Sequence, residues 1–267
     1  MTVRLLLSVL LIPATCLNAQ QPDLGDVTEE HVMIPMRDGK RLSSYVYRPS
    51  GTGPWPVVFE QRYASLRGRT TREAAAKLAA EIEATGGPAH LCGHSMGGMV
   101  VLELAATRPE LCRSLILCNT TPAFGGKDDT FKREFVSARL APLENGKTMA
   151  EMAPASVRGM SGDETAQADL DFMADLMAQT PEAAYRAAIE CLVTFDRRAA
   201  LEGLIMPVLL IGGENDPASP AKTMQRMAEK IPDAECHILP GGHMTPVEQA
   251  AGTNRALAAF LARVEAA

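Results

Sequence analysis

Gly93-His94-Ser95-Met96-Gly97 is the segment of this 267-residue chain best arranged for chemistry. It fits the pattern G-x-S-x-G, in which a tight strand-to-helix turn holds a serine hydroxyl where a base can reach it. The chemistry is nucleophilic attack on an acyl carbonyl. For that, the serine needs a base, and the base needs an orienting carboxylate. Asp216 lies in Gly213-Glu214-Asn215-Asp216-Pro217, and His243 in Pro240-Gly241-Gly242-His243-Met244. Both loops follow strand-like runs, and serine, acid, histidine is the chain order that accompanies such an elbow. The competing reading of Asp216 is a turn former ahead of Pro217. Glu214 is the rival acid, closer to the strand end, but the Asn215-Asp216-Pro217 turn should project Asp216 toward the top of a sheet. Two glycines give the His243 loop the freedom to fold back over the serine. His237 lies inside a strand. His94 adjoins the serine, yet a sharp turn directs neighbouring side chains apart, so it is expected to pack under the elbow or line a wall.

These side chains need a sheet edge to converge on. Pro88 to Cys92 reads as a short buried strand leading into the elbow, and Met96 to Ala106 as a helix whose small early residues allow close packing. His31 to Met36 and Leu42 to Arg48 flank an Asp-Gly pair, a hairpin signal. Pro56 to Glu60 is a further short strand. Thr71 to Glu83 reads as a helix with Thr70 or Thr71 as its cap. Arg113 to Cys118 is another core strand. Residues 121–200 then change character, with Met, Ala, Asp and Glu at helical spacing through Ala166 to Met177 and Pro181 to Leu192. That is an inserted helical cap. Beyond it, Pro207 to Gly213 is almost continuously apolar, as a strand covered on both faces should be. A helix over Pro220 to Lys230, a strand over Glu235 to Leu239 and a helix over Pro246 to Val264 complete the rhythm. Alternating strands and helices predict an α/β fold, with a mostly parallel central sheet and helices on both faces.

Arg4 and the apolar run Leu5 to Ile12, followed by small and polar residues to Gln20, predict a secretory signal over 1–19. Cys16 leaves lipid attachment at a processed cysteine as an alternative. The run is too short to span a membrane as a helix. A secreted or periplasmic protein is the expectation. The predicted units are 1–19 as leader, 27–120 as the first part of the core, 121–200 as the cap and 201–267 as the second part of the core. A net charge of -6 without basic blocks argues against nucleic acid as a partner. Of six cysteines, Cys92 and Cys118 end neighbouring predicted strands and could pair, although buried free thiols are the stronger reading. No cysteine or histidine spacing suits a metal, and the proposed chemistry needs no cofactor.

From residue 71 onward the chain resembles the α/β-hydrolase superfamily, and within it the 3-oxoadipate enol-lactonase-like esterases. The segments that carry the resemblance are Ala89 to Gly98, Ser114 to Thr120, Gly213 to Pro217 and Pro240 to His243. It implies that Ser95, Asp216 and His243 form the triad and that 121–200 is the cap. The earlier part is similar to cocaine-esterase and X-prolyl-peptidase-like hydrolases, through Val32 to Leu42, Tyr47-Arg48-Pro49 and Pro54 to Val58. Enol-lactonase-like members carry a His-Gly pair after the third strand, then a helix and a further strand. Here Phe59 to Gly68 runs almost directly into the helix at 71, so the sheet is expected to be shortened after its third strand. Either Tyr63 to Leu66 supplies a stunted strand, or the sheet loses one beside its centre.

One oxyanion donor, the Met96 backbone N–H, comes with the elbow. The second must come from the loop after Phe59. The cocaine-esterase resemblance implies the Tyr63 hydroxyl, while the Gln61 or Arg62 amide is the other choice. The function expected is hydrolysis of small or medium carboxylic esters through an acyl-serine. A lactonase is one alternative. A non-catalytic secreted binding protein with a degenerate hydrolase fold is the other.

Overall fold

A computed structural model of the protein describes residues 5–7, 27–35, 41–49, 70–84, 88–125 and 129–266. In chain order, strands β1 (Leu5–Leu7), β2 (Val27–Pro35) and β3 (Arg41–Pro49) precede helix α1 (Thr71–Ala84). Then come β4 (Ala89–His94), α2 (Met96–Thr107) and β5 (Cys112–Cys118). Four helices follow, α3 (Thr130–Glu144), α4 (Met149–Arg158), α5 (Gln167–Ala178) and α6 (Glu182–Leu192). The chain closes with β6 (Val208–Gly213), α7 (Ala221–Lys230), β7 (Ala234–Leu239), α8 (Thr245–Glu248) and α9 (Ala250–Ala266). The strand Pro56 to Glu60 and the candidate donors Gln61, Arg62 and Tyr63 lie outside the described residues.

The main sheet has the order β1-β4-β5-β6-β7, and every described pairing in it is parallel. Side chains alternate between its two faces. Leu91, Leu115, Leu117, Val208 and Leu210 meet Ala75, Ala79 and Ile82 of α1, Met99 and Leu102 of α2, and Met224 and Met227 of α7. Cys92, Ile116, Cys118, Leu209 and Ile211 meet Ala256 and Phe260 of α9. Three layers result, as the strand–helix alternation predicts. The hairpin is also present, with β2 and β3 antiparallel in a separate two-stranded sheet.

Helix bounds follow local chemistry. Thr70 caps α1 in a reciprocal box, its Oγ1 accepting from the Glu73 amide while Glu73 Oε2 accepts from the Thr70 amide. The helix expected over 246–264 is instead two. It breaks at Gln249, which has left the helical region at φ -130°.

Two other findings bear on the sequence reading. Leu5–Leu7, inside the segment read as a leader, pairs in register with His90, Leu91 and Cys92. The flank of β4 away from β5 carries unpaired amides and carbonyls, and an apolar tripeptide in extended form satisfies them. The possible Cys92–Cys118 disulfide is excluded by register. Cys92 lies opposite Ile116, and Cys118 opposite His94. The two cysteines are therefore a diagonal pair with Cα atoms about 8 Å apart, beyond the roughly 7 Å that a disulfide spans. Both are buried free thiols. Hydrogen bonding with Cys118, reinforced by burial, pushes the Cys92 thiol up.

The cap is α3 to α6, inserted between β5 and β6. Its two stems run together at the base. The Phe124 amide donates to the Phe195 carbonyl (2.9 Å), and the Arg197 amide to the Pro122 carbonyl (2.7 Å). Arg197 also forks onto the buried Glu103 carboxylate of α2 with two bonds of 2.5 Å.

Candidate active site

The residues nominated from the sequence converge where β4, β6 and β7 end. Ser95 follows β4 with φ 52° and ψ -119°, in a region that side chains rarely enter. Its amide donates to the Cys118 carbonyl (2.9 Å), and its carbonyl accepts from Thr120 Oγ1 (2.7 Å). The turn is this tight only because of two glycines. A Cβ on Gly93 would fall 2.3 Å from the Gly97 carbonyl oxygen, and one on Gly98 would fall 2.7 Å from the Thr120 Cβ. Met96 opens α2, so the helix cannot satisfy its amide. That leaves the donor beside the serine which the sequence pattern requires.

His243 is buried. Its Nε2 lies 2.8 Å from Ser95 Oγ, and its Nδ1 lies 3.0 and 2.9 Å from the two Asp216 carboxylate oxygens. A carboxylate only accepts, so Nδ1 carries the proton and Nε2 is left free to accept from the serine hydroxyl. Asp216 is held on every side. Its Oδ1 accepts from the Ala218 and Ser219 amides (2.8 Å each), and its Oδ2 from Asn119 Nδ2 (3.0 Å). Burial alone would raise its pKa. The hydrogen bond and charge of His243, with the Ser219 amide and Asn119, outweigh that and hold it at about 2. Glu214, the rival acid, is exposed.

His94 packs as expected, half-buried beside the histidine loop. Its Nε2 donates to the His243 carbonyl (2.7 Å), and the two rings sit 5.2 Å apart. Burial, helped by the neighbouring His243, pulls the His94 imidazole down to about 4. It is a neutral strut, with its own proton committed to the backbone. Within the cap, Met152 is buried against Leu140, Leu143 and Met149, and Met173 against Val157 and Leu170. Met177 and Tyr185 are partly buried against the first of these groups, and Phe172 against the second.

Sequence reasoning missed Asn119. It sits immediately after β5 at φ 45°, fully buried, and its Nδ2 also reaches the Gly242 carbonyl (3.1 Å) and Thr245 Oγ1 (3.0 Å). One amide thus joins the acid loop to the histidine loop. The signal was its type, because asparagine tolerates positive φ at a strand end. Among the described residues there is no cluster of His, Cys, Asp and Glu able to hold a metal ion. Nor is any described helix long and apolar enough to cross a membrane.

Comparison with known proteins agrees with this architecture. The sequence profile of the alpha/beta hydrolase fold family matches residues 70–250. RutD of Variovorax paradoxus, named as a carbamate hydrolase, is 33% identical over 252 residues, spanning 92% of this chain and 87% of that protein. The pimeloyl-[acyl-carrier protein] methyl ester esterase of Aromatoleum aromaticum is 28% identical over 154 residues, or 54% of this chain and 62% of that one. The structure of BpoC from Mycobacterium tuberculosis, named as a non-heme bromoperoxidase, superposes with a TM-score of 0.66 at 25% identity. It covers 85% of this chain and 83% of its own. The profile match begins at residue 70, and nothing in these comparisons supports the likeness to cocaine esterases expected for the earlier part. With the elbow, the three-layer sheet and the cap in place, the chain belongs to the alpha/beta hydrolase fold family.

Proposed function

We propose that this protein is a serine hydrolase that cleaves carboxylic esters of small or medium acyl compounds through an acyl-serine intermediate. The observation that carries the reading is one continuous relay. Ser95 Oγ is 2.8 Å from His243 Nε2, and His243 Nδ1 is bound by Asp216. His243 takes the serine proton as the hydroxyl attacks the carbonyl, then returns it to the leaving alcohol. Asp216 fixes the tautomer and stabilises the charged imidazole. The Met96 amide meets the developing oxyanion. The second donor is assigned to the segment after Phe59, to Tyr63 or to the Gln61 or Arg62 amide. Water activated by the same histidine then frees the acyl group.

A serine-reactive fluorophosphonate tests this directly. Stoichiometric label on a peptide containing Ser95, together with burst kinetics on p-nitrophenyl acetate and butyrate, is the expected result. Folded protein that neither labels nor turns over either ester would establish the rival, a binding protein on a hydrolase fold.

The likeness to RutD favours a second reading, in which the acyl carbon belongs to a carbamate. The same relay would serve, since both reactions pass through a tetrahedral oxyanion. A panel that sets short esters against a lactone and an N-unsubstituted carbamate, compared by kcat/KM, separates these substrates.

A further inference from the structure

The histidine loop is not held by the sheet alone. Glu248, in α8, gathers four donors on one carboxylate. Its Oε1 accepts from the Met244 amide (3.0 Å). Its Oε2 accepts from the Gly242 amide (3.0 Å), the Gly162 amide (2.8 Å) and Thr165 Oγ1 (2.7 Å). Gly242 and Met244 flank His243, while Gly162 and Thr165 belong to the cap turn between α4 and α5. The amide left between them, that of His243, donates to the Met160 carbonyl in the same turn (2.6 Å). Three consecutive amides around the histidine are therefore fixed, two by Glu248 and one by the cap.

The seam is backbone against backbone. A Cβ on Gly242 would fall 2.4 Å from the Met160 carbonyl oxygen, and one on Gly162 would fall 2.8 Å from the Gly241 Cα. Arg158 Nη2 donates to the Gly162 carbonyl, which holds the cap side of the joint. Neither surface can slide without unpairing amides that Glu248 and Met160 now satisfy.

We propose that Glu248 is the positioning residue of the histidine loop, clamping it to the cap turn 160–165 so that docking of the cap and placement of the His243 imidazole are one event. The proposal rests on the serine-hydrolase reading above, since it concerns how the base of that reaction is aimed. An imidazole displaced by about 1 Å costs on the order of 10²-fold in rate, while substrate binding on the cap and elbow changes little. A glutamine keeps the shape and one accepting oxygen, but its NH2 must face a donor, so it restores only part of the clamp.

The test is a mutant cycle on p-nitrophenyl butyrate. Glu248→Ala is expected to lower kcat by about 30-fold with KM within about 2-fold, and Glu248→Gln to fall between it and the parent. In a His243→Ala background the Glu248 substitutions should change the residual rate by less than about 2-fold, because the group they aim is gone. A clamp that only keeps the protein folded would cost the same factor in both backgrounds. That result, or an unchanged kcat in both Glu248 variants, overturns the proposal. Should Glu248→Ala not fold, Glu248→Gln is carried through the same cycle and judged by the same two outcomes. His243→Ala retaining parental turnover would instead overturn the triad reading itself, which keeps the two failures distinguishable.

Discussion

Two serine–histidine–carboxylate sets occupy opposite ends of one parallel sheet, and only one carries the geometry of the proposed relay. At the carboxyl ends stand Ser95, His243 and Asp216. Near the amino ends stand Ser114, His90 and Glu265, with His90 Nδ1 2.7 Å from Ser114 Oγ and His90 Nε2 2.9 Å from Glu265 Oε1. The distances are equally good, so residue types and reach do not distinguish the sets. The ring orientation does. At the lower set the carboxylate takes the Nε2 proton and leaves Nδ1 to the serine, the reverse of the upper arrangement. Exposure separates them further, since Ser114 and His90 are wholly buried and Ser95 is not. Ser114 also sits inside β5 with its backbone engaged in the sheet, whereas Ser95 is held at φ 52° in front of a helix N-terminus. A site in this fold is thus a strained turn beside free amide donors. The lower set, with the same chemistry in its side chains, fastens the end of α9 to the sheet.

The sharpest way to break this comparison is to remove each serine in turn. Ser95→Ala should reduce kcat on p-nitrophenyl butyrate by roughly 10⁴-fold or more, while Ser114→Ala should leave it within about 2-fold. Comparable losses from both would mean that the lower set communicates with the chemistry. The carboxylates give the next largest contrast. Asp216→Asn should cost about 10³–10⁴-fold in kcat, because the amide no longer enforces the Nδ1–H tautomer. Glu265→Gln should leave kcat unchanged. Steady-state kinetics on the folded variants decides both.

Much of the upper set was legible in the chain because its residues sit at punctuation. Gly93, Gly97 and Gly98 mark the elbow. Pro217 closes the acid turn, and Gly241-Gly242 opens the histidine loop. Such signals are local, and so are the helix bounds set by Thr70 and by the apolar periodicity of α5 and α6. What escaped was everything whose meaning depends on distant partners. Asn119 reads as the end of a strand, and its buried amide gains a purpose only when the loops at 216 and 242 arrive. Glu248 reads as an acid in the first turn of a helix, a common preference there. Its actual partners at 162 and 165 lie across the cap insertion. The pairing of Leu5–Leu7 with β4 depends in the same way on a distant partner, since an apolar run read alone carries no register.

The lower set should show itself in stability instead of rate. Ser114→Ala leaves the buried Nδ1 of His90 without its donor, which costs about 1–3 kcal/mol. Urea unfolding should record that loss with an unchanged slope in denaturant. Stability equal to that of the parent would mean that the hydroxyl contributes nothing to fastening α9.

Both ends should respond to acid through a buried histidine, and they should differ in what that histidine means for turnover. Burial lowers His90, against the opposing pull of Glu265 and with the help of Arg113. Burial likewise lowers His94, which faces His243 and Asp216, to about 4 from an ordinary 6.5. A histidine whose folded value lies below its unfolded value binds more protons when unfolded, so stability falls as pH falls below 6.5. Each such group contributes a slope of up to about 1.4 kcal/mol per pH unit. The share from His94 continues down to about pH 4, where the folded imidazole also takes its proton. Asp216 is displaced in the same direction but over a lower range, so its contribution is complete above 3.8 and is lost only as pH falls toward 2. Between 6.5 and 4 the histidines therefore act with little overlap from that carboxylate. His94→Gln should flatten the upper part of the profile while kcat changes far less than in Asp216→Asn, because His94 braces the loop without exchanging protons with substrate. His90→Gln should flatten it with no change in kcat at all. Denaturant-derived stability for the two variants and the parent at pH 7, 6, 5 and 4.5 measures both shares. A parental slope in both would mean that neither imidazole is kept neutral by the fold.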